Sequence, residues 1–520
     1  MFTKNYWRFA LVLAVCYACS DDDTPDDTPE TSEPFRNSEV VESIGFQLNP
    51  TGYAPLTALV NLQTNQEVTL EVVVVGKNGS ASNLVQQFQE VGSDFALEIV
   101  GLYPNYENEL RVTFFDPSGT VLESGSIPIQ TSAVINDMPR ITIDQPSNAS
   151  ELQLNFVNYF GFDRNFRPQR PFVFDQFGDI RWYLDFSSHP VLFDLFYDNG
   201  MTQLQNGNLL FGDGLSQSIY EIDFLGRIID SWDLQGNEFH HHVIEKPDGN
   251  VLVTINDATK STVEDVIIEI DRSTGEFITT WDLNASLDNS RRAWPTDLAD
   301  LNFDWFHANA IEYSAQDNEI IVSGRTQGIV KLNTQNEVRY ILAPHRAWGT
   351  AGNGTDLKQF LLTPLDAQGQ EITDPDVLDG SINHPDFEWS WYQHSPILMP
   401  NGNLMVFDNG DNRNYINFGP YSRAVEYKID EENKTIQQVW SYGKERGEAT
   451  YARIVSKVSY LPESNSVLFT PGSSVSFGIP SGKVVEIDYT TKQVIFEATI
   501  VPPNTVFGIS FHNVLRIPFF

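Results

Sequence analysis

The chain has 520 residues, of which 41% are hydrophobic and 12% aromatic, enough apolar material for two folded units. Its 32 Lys and Arg stand against 70 Asp and Glu, so the formal net charge at pH 7 is -38. A field of this sign repels nucleic acid and anionic membrane surfaces and therefore argues against nucleic acid as a partner. A site for an anionic substrate would need cationic groups of its own.

The first segment, residues 1–19, has the composition of an export signal. Two basic residues precede an apolar run from Phe9 to Val15, which is too short for a permanent membrane span. Cys19, followed by Ser-Asp-Asp-Asp, resembles the lipidation site of a bacterial lipoprotein, with Cys16 or an ordinary secreted protein as the alternatives. The mature chain is therefore expected to be exported and lipid-anchored to the outer membrane, on its periplasmic or cell-surface side, with no other membrane contact.

Cys16 and Cys19 are the only cysteines in the sequence. The mature protein is thus expected to contain no disulfide, no thiolate metal site and no cysteine nucleophile. Residues 20–38, rich in Asp, Thr, Pro, Ser and Glu, cannot bury a core and are predicted to form a disordered acidic tether.

Residues 39–140 alternate apolar and polar positions in short runs such as VTLEVVVVG and NELRVTFFD, separated by turns such as DPSG. This pattern predicts a small antiparallel β-sandwich. The segment contains no histidine, so we expect it to support the fold rather than to carry the active site.

From residue 141 onward a two-part repeat predicts the architecture. A turn followed by a strand recurs as QNGNLLFGDG, PDGNVLVTIND, QDNEIIVSGR, PNGNLMVFDNG and ESNSVLFTPG. A second strand ending at an acidic or amide turn follows each of them, and PFVFDQFGDIRWYL opens the series. Four strands per unit at a spacing of roughly fifty to sixty residues are typical of a β-propeller. The prediction is an all-β protein with a six-bladed propeller over residues 141–520.

Aromatic residues occupy equivalent places in the outer strands of this repeat. We interpret them as packing between blades rather than as a cofactor site. The spacing between the fourth and the fifth is about twice the usual one, which indicates a long insertion at about residues 345–392. The six residues are Trp182, Trp232, Trp281, Tyr340, Trp440 and Phe496.

Three histidines stand at one structural position in consecutive repeats. His394 lies ten residues before Leu404, where a strand opens, and His241 lies ten residues before the matching Val251. The loop of the intervening repeat is three residues longer and places His307 at the same point. A lone histidine in such a place is more often structural than reactive. Three in register are expected to converge on the central channel of a propeller.

Two kinds of chemistry suit three convergent imidazoles. Three His ligands with an open fourth position make a hydrolytic zinc site. Alternatively, one imidazole acts as nucleophile on an anionic group while its neighbours cancel charge. Asn309 lies on the same side of a strand as His307, and Arg325 ends the next strand. A guanidinium binds tetrahedral oxyanions and would be an unfavourable charge beside zinc, so these residues favour the second chemistry and no metal.

Several segments together resemble the arylsulfate sulfotransferase family of bacterial exported enzymes. They are HHHVIEKPDGNVLV, DWFHANAIEY with SGRTQG, and QHSPILMPNGNLMVFDNGDNR with YSRAVEYKID. The resemblance covers about residues 40–520, including PTGYAPLTA and VGLYPNYENEL in the first domain. It implies a six-bladed propeller behind a β-sandwich. It also implies transfer of a sulfuryl group from a phenolic sulfate ester to a phenol acceptor, without the nucleotide sulfate donor or another cofactor.

The same resemblance assigns roles to individual residues. It implies that His394 is the nucleophile and becomes transiently sulfated. It further implies that His307, Asn309 and Arg325 hold the sulfuryl oxygens. The family's remaining site histidine falls within residues 240–242, where three consecutive histidines make the choice ambiguous and register favours His241.

Aromatic side chains near the motifs are candidates for holding the phenolic ring at the channel mouth. These are Trp305, Phe306 and Trp391, for which core packing is the alternative interpretation.

The leading hypothesis is ping-pong transfer between a phenolic sulfate and a phenol. The alternatives are hydrolysis, with water as the acceptor, and a non-catalytic surface propeller that binds glycan or protein. The binding protein would explain the tether and the acidic surface but not the register of the histidines. The natural donor, the acceptor and the oligomeric state are left open, with a homodimer as one option.

Overall fold

The computed structural model describes residues 35, 37–159, 169–196, 198–292, 296, 298–416, 419–473, 481–503 and 510–520. The predicted signal segment, with both cysteines, and most of the predicted tether lie outside the described residues. Within those residues, every helix is too short or too polar to cross a membrane.

Five antiparallel strands form the first domain. They are β1 Val41–Leu48, β2 Ala58–Val74, β3 Leu84–Ile99, β4 Glu107–Phe115 and β5 Val121–Gln130. The first half of β2 pairs with β1 and its second half with β4, while β3 pairs along the other edge of both halves. Register shifts between Gln63 and Leu70 mark the point where β2 changes partner. The two long strands therefore tie the whole domain into one hydrogen-bonded sheet.

The second region begins with three complete four-stranded sheets and part of two others. In the sequence, short apolar runs alternate with tight turns. The strands are β6 Arg140–Gln145, β7 Leu154–Tyr159, β8 Phe172–Asp175, β9 Ile180–Tyr183, β10 Thr202–Gln203, β11 Leu209–Asp213, β12 Ser218–Ile222, β13 Ile228–Asp233, β14 Glu238–Glu245, β15 Val251–Asn256, β16 Val266–Ile270, β17 Phe277–Asp282, β18 Ala308–Ser314, β19 Glu319–Gly324, β20 Gly328–Leu332 and β21 Val338–Leu342. The middle strands of each sheet are almost entirely buried, whereas the outer strands β13 and β17 are mostly exposed or half-buried.

The remaining strands complete the region. The short β22, from the predicted insertion, runs parallel to β26, whereas the other pairs are antiparallel. These strands are β22 Thr363–Leu365, β23 His394–Leu398, β24 Leu404–Asp408, β25 Arg423–Asp430, β26 Thr435–Tyr442, β27 Lys457–Leu461, β28 Ser466–Thr470, β29 Gly482–Asp488, β30 Val494–Val501 and β31 Phe511–Arg516.

The innermost strands of neighbouring sheets contact one another around a common centre. β14 contacts β18, β18 contacts β23, β23 contacts β27, and β27 contacts β31. The late strand β31 pairs with the early strand β7, while β6 adds an outer strand to the sheet of β27–β30. The prediction of an all-β propeller behind an N-terminal β domain is confirmed. The described part of this region contains six sheets, and the count of six blades in a closed ring stays a prediction.

The aromatic residues of the outer strands join each sheet to the next. All six that were predicted to pack between blades are at most 8% exposed, so this prediction is confirmed. Four of them donate an indole N–H to a carbonyl oxygen in the turn after the third strand of the following sheet, at 2.6 to 2.8 Å. The pairs are Trp182 with Phe224, Trp232 with Arg272, Trp281 with Asn333, and Trp440 with Tyr489.

Helices are few and short in the described residues. Asp282 and Asp374 cap the two α-helices, each accepting a backbone N–H two residues on. The helices are α1 Leu283–Ser286 and α2 Pro375–Leu378, with 3-10 turns at Ser80–Ser82, Leu357–Phe360, Arg413–Tyr415 and Lys444–Thr450.

Candidate active site

The three predicted histidines all lie where an innermost strand is interrupted. The hydrogen-bond register shifts, as in a β-bulge, across His241 in β14, directly after His394 in β23, and between Ala308 and Ala310 in β18, which begins just after His307. The φ angle is 56° at His241, 59° at His307 and 53° at Ser395, which follows His394. Bulges re-aim side chains, and a left-handed non-glycine residue persists only where its surroundings hold it. The strands are thus distorted at the positions that bear the imidazoles.

His241 and His307 meet directly. Their Nε2 atoms are 2.8 Å apart, and their ring centroids are 4.6 Å apart. The Nδ1 of His241 lies 2.6 Å from a carboxylate oxygen of Asp198, whose side chain is 1% exposed. The Nδ1 of His307 contacts Glu264 and lies 2.8 Å from Asp304. A carboxylate therefore stands behind each ring of the pair.

The other two members of the histidine triplet have different partners. The Nε2 of His240 is 2.6 Å from Glu264. Burial alone would lower the pKa of His240, but the charge of Glu264 and the hydrogen bond to it, together with the charges of Asp198 and Asp304, raise it above its ordinary value. The Nδ1 of His242 accepts the backbone N–H of Ile311 at 3.0 Å. His241, which the register favoured, is therefore the member of the triplet that contacts His307.

Two acceptors hold the ring of His394. Its Nδ1 is 2.8 Å from Oδ1 of Asn409 and 3.0 Å from the carbonyl oxygen of Tyr392. The amide of Asn409 is itself oriented, because its Nδ2 donates to the carbonyl oxygens of Ala452 and Val455 at 2.8 and 3.0 Å. The Oδ1 of Asn409 therefore faces the imidazole as an acceptor.

The protonation state of His394 follows from these contacts. Burial, followed by the nearby charges at His241, His307 and Arg325, holds the pKa of His394 well below its ordinary value, against the opposing effect of Asn409. The ring is neutral near pH 7. Since Nδ1 faces two acceptors, it carries the proton, and the lone pair is on Nε2.

Asn309 is bonded next to His394, and Arg325 is bonded to the carboxylate behind His307. The Nδ2 of Asn309 donates to the carbonyl oxygen of Gln393 at 3.0 Å. The Nη2 of Arg325 donates to Asp304 at 3.2 Å and to the carbonyl oxygen of Leu298 at 3.3 Å. Arg325 Nε is buried and makes no hydrogen bond within the described residues. An N–H group of this cation thus remains available to an anion.

A small cavity opens beside these residues. Among the predicted site residues, His241, Asn309 and His394 line it, whereas His307 and Arg325 stand behind and are joined through Asp304. The cavity wall also includes His242, Lys457 and His512.

The aromatic candidates for ring binding do not line this cavity. Trp305, Phe306 and Trp391 are at most 1% exposed and pack into hydrophobic clusters. The indole of Trp305 also donates to Asp265 at 2.7 Å. Their placement fits the alternative interpretation, in which they are core residues.

Sequence reasoning missed the groups that surround the imidazoles. Asp304 stands in the DWFH motif, three residues before His307, and this spacing was a usable signal. Asn409 directly follows β24 just as Arg325 directly follows β19, which a strand-by-strand comparison would show. Asp198 and Glu264 precede their strands in loops, without any periodic signal.

Imidazole and carboxylate atoms gather within 4.8 Å of one another in overlapping groups, a donor set that metals also use. Here each carboxylate faces an imidazole Nδ1 or Nε2 at hydrogen-bonding distance. Such contacts place a proton, rather than an ion, between nitrogen and oxygen. We therefore describe the cluster as a hydrogen-bonded network.

The partly buried His242 gives a testable pH dependence of stability. Burial, followed by the charge of Lys457, lowers its pKa from 6.5 to about 3, and protonating Nδ1 would break the bond from Ile311. The folded state disfavours the proton, so this contribution to stability is complete above about pH 6.5 and is lost as the pH falls toward 3. We expect this group to remove up to about 1.4 kcal/mol of unfolding free energy per pH unit in that window. Urea unfolding at several pH values will measure it.

His242→Gln is the matched control, because a glutamine oxygen can accept the N–H of Ile311 but does not titrate. Its unfolding free energy should fall less steeply below pH 6.5 than that of the unsubstituted protein. Equal slopes would contradict the assignment.

Comparison with known proteins shows which protein family this chain resembles. Residues 141–505 match the family model described as Arylsulfotransferase (ASST), and residues 46–132 match the Arylsulfotransferase Ig-like domain. Arylsulfate sulfotransferase AssT of Escherichia coli O6:H1 is 30% identical over 556 residues, covering 87% of this chain and 89% of the relative. AssT of Lelliottia amnigena is 30% identical over 557 residues, with the same coverage of both chains.

The solved structures found are more distant. A protein of unknown function from Bacteroides caccae shares 15% identity with a TM-score of 0.39, over 70% of this chain and 98% of that one. A streptogramin B lyase shares 12% identity with a TM-score of 0.33, over 78% of this chain and 94% of that one. The family model covers more than half of the sequence, and the curated relatives align along most of it. The chain belongs to the arylsulfotransferase family.

Proposed function

We propose that this protein moves a sulfuryl group from an aryl sulfate ester to a phenol in two half-reactions, through a sulfohistidine at His394. Membership in the arylsulfotransferase family supports the overall reaction. The observation that carries the mechanism is the tautomer of His394, whose Nδ1 is held by two acceptors while the ring stays neutral.

Sulfuryl transfer needs a nucleophile with an available lone pair. An imidazole held by hydrogen bonds at Nδ1 presents Nε2, and a depressed pKa keeps that lone pair free of a proton near neutrality. The amide of Asn409 is itself fixed by two further hydrogen bonds. If the proton of His394 moved from Nδ1 to Nε2, Asn409 would have to turn its amide around and would lose both of these bonds.

In the first half-reaction, Nε2 of His394 forms a bond to sulfur as the bond from sulfur to the phenolic oxygen breaks. The phenolate leaves with the electron pair of that bond and takes a proton from a neighbouring imidazole. The transition state is expected to be loose and in line, as in phosphoryl transfer, so catalysis is mainly positioning and charge stabilisation.

Arg325 and Asn309 suit the peripheral oxygens of the sulfuryl group. Arg325 has an N–H that is not used within the described residues, and the amide nitrogen of Asn309 has a second N–H beyond the one bonded to Gln393. Asn309 can donate from the cavity wall to an oxygen that carries negative charge in the transition state, and the N–H of Arg325, directly behind that wall, supplies a positive charge and a donor for another. They also supply the local cation and donors that an anionic substrate needs in a protein of net charge -38.

In the second half-reaction, the oxygen of an acceptor phenol bonds to sulfur and the bond from sulfur to Nε2 breaks. The phenol gives its proton to the imidazole that supplied one before. His394 recovers its lone pair and the site returns to its starting state.

Intact-mass spectrometry tests this scheme on protein lacking residues 1–19. Mixed with a chromogenic aryl sulfate and no acceptor, the protein should gain one sulfuryl-sized mass that maps to His394 and disappears when phenol is added. Release of free sulfate without transfer would indicate hydrolysis instead. An unchanged donor with no adduct would contradict the proposal and favour the non-catalytic binding protein.

A further inference from the structure

We propose that His241 and His307 act as one acid–base unit that shares a single excess proton, and that the buried Asp198 is the positioning residue that holds this proton in place. The inference rests on the proposed function, because the shared proton is the one that the leaving phenolate takes up.

The hydrogen bonds of the pair fix the number of protons. The pKa of Asp198 is lowered despite burial, because His241 and His512 are close to its carboxylate, so the Nδ1 of His241 is the donor in their contact. The pKa of Glu264 is lowered in the same way by His240 and His307. The Nδ1 of His307 is therefore also a donor, and both rings carry a proton on Nδ1.

The contact between the two Nε2 atoms then needs one further proton. Without it, two lone pairs would face each other at 2.8 Å, and with two protons both rings would be cations in contact. One proton in the pair satisfies the geometry. The Nδ1 of His307 contacts two carboxylates, Glu264 and Asp304, whereas burial, followed by the neighbouring histidines, lowers the pKa of His241 to about 3 despite Asp198. We therefore place the resting proton on Nε2 of His307, which donates it to Nε2 of His241.

Within the network of direct contacts around the pair, which does not include Lys457, the charges are balanced at this protonation state. Arg325, His240 and the shared proton are three positive charges, and Asp198, Glu264 and Asp304 are three negative charges within the same contact network. Each carboxylate of this set is in contact with at least one of the cations. The groups that face the pair from the surrounding elements are Asp198, His240, His242, Glu264, Asp304, Arg325, His394, Lys457 and His512.

The charges of this network are no longer balanced once the shared proton has left, and this imbalance favours its return. When the S–O bond of the donor breaks, the phenolate takes the shared proton and the pair becomes neutral, with one negative charge uncompensated. The acceptor phenol restores the proton as its oxygen bonds to sulfur. Asp198 takes part through His241 only, since it is 1% exposed and does not line the cavity.

Donors with different leaving groups separate this role from a merely structural one. A phenolate of high basicity needs the proton in the transition state, whereas 4-nitrophenolate leaves without it. In Asp198→Asn the amide still accepts from Nδ1 of His241 but no longer holds a cation nearby. We expect kcat/KM for phenyl sulfate to fall by about 10²-fold and that for 4-nitrophenyl sulfate by less than about 5-fold.

The pH profile gives a second readout. With phenyl sulfate, the alkaline limb of kcat/KM should move to lower pH in Asp198→Asn. In Asp198→Glu, which keeps the carboxylate, the limb should lie close to its pH in the unsubstituted enzyme. Asp223→Asn is the matched control, because it makes the same change at a buried carboxylate in the turn after β12, paired with Arg227. It should leave the ratio of the two donors unchanged.

Equal losses with both donors and an unshifted profile would overturn the inference. If Asp198→Asn does not fold, the pH profile of the unsubstituted enzyme tests the inference. The alkaline limb of its kcat/KM should be present with phenyl sulfate and absent with 4-nitrophenyl sulfate. An alkaline limb with both donors would contradict the shared proton. If the sulfohistidine forms but the two donors respond alike, this inference is refuted and the proposed function stands. Failure to form any adduct would refute the proposed function.

Discussion

His394→Gln should lose transfer by a factor on the order of 10⁴ or more in kcat, the scale seen when a catalytic nucleophile is removed. Glutamine fills a similar volume and can donate to Oδ1 of Asn409, so the surrounding bonds are kept while the lone pair of Nε2 is lost. Steady-state release of 4-nitrophenol with phenol as acceptor measures the effect.

His384→Gln is the control for this substitution. His384 lies in the insertion, where its Nδ1 accepts the N–H of Asp386, away from the cavity. Its rate should stay within about twofold of the unsubstituted enzyme, as expected for a change remote from the reacting atoms. Near-normal transfer by a folded His394→Gln variant would rule out the sulfohistidine mechanism.

The second large effect is expected at Arg325. Lysine keeps the positive charge but loses the planar fork that can donate to Asp304 and to a sulfuryl oxygen together. We expect Arg325→Lys to lower kcat/KM by about 10²- to 10³-fold, the range for removing one preorganised donor from a developing oxyanion. Kinetics with one donor at saturating phenol will measure it.

Arg339→Lys makes the same chemical change at a half-exposed ion pair with Glu319 on the outside of the same sheet. It should leave kcat/KM unchanged, because exposed pairs contribute little. A comparable loss in both variants would mean that Arg325 acts through stability rather than on the sulfuryl group.

The sequence determined the architecture through repetition. Turn and strand signals recur at a fixed period, so the outer-strand aromatic residues could be aligned and their packing between sheets predicted. The same alignment identified His241, His307 and His394, because each stands at a fixed distance before a strand that the pattern locates. Asn309 and Arg325 followed from strand periodicity and chain order.

The details around these imidazoles could not be predicted in the same way. Strand periodicity assumes regular backbone, yet His241 and His307 have left-handed φ angles at bulges, which no composition signal marks. Asp198 and Glu264 reach the site from loops, whose course depends on tertiary packing. Trp305 and Trp391 were candidates for holding the phenolic ring because they are close in sequence to the histidine motifs. Closeness in sequence does not show that both side chains are buried in the core.

The pairing of β31 with β7 also has a consequence for the order of assembly. His512 on β31 lines the cavity together with His241 and His394 from strands near the middle of the chain. Contacts between segments so distant in sequence form late in folding, since the entropy of closing a long loop is lost before the contacts contribute any stabilising free energy. A growing or partly unfolded chain therefore has His394 but not the complete cavity wall around it. Enzymatic activity should return during refolding only when this last pairing forms, which makes activity a reporter of complete folding.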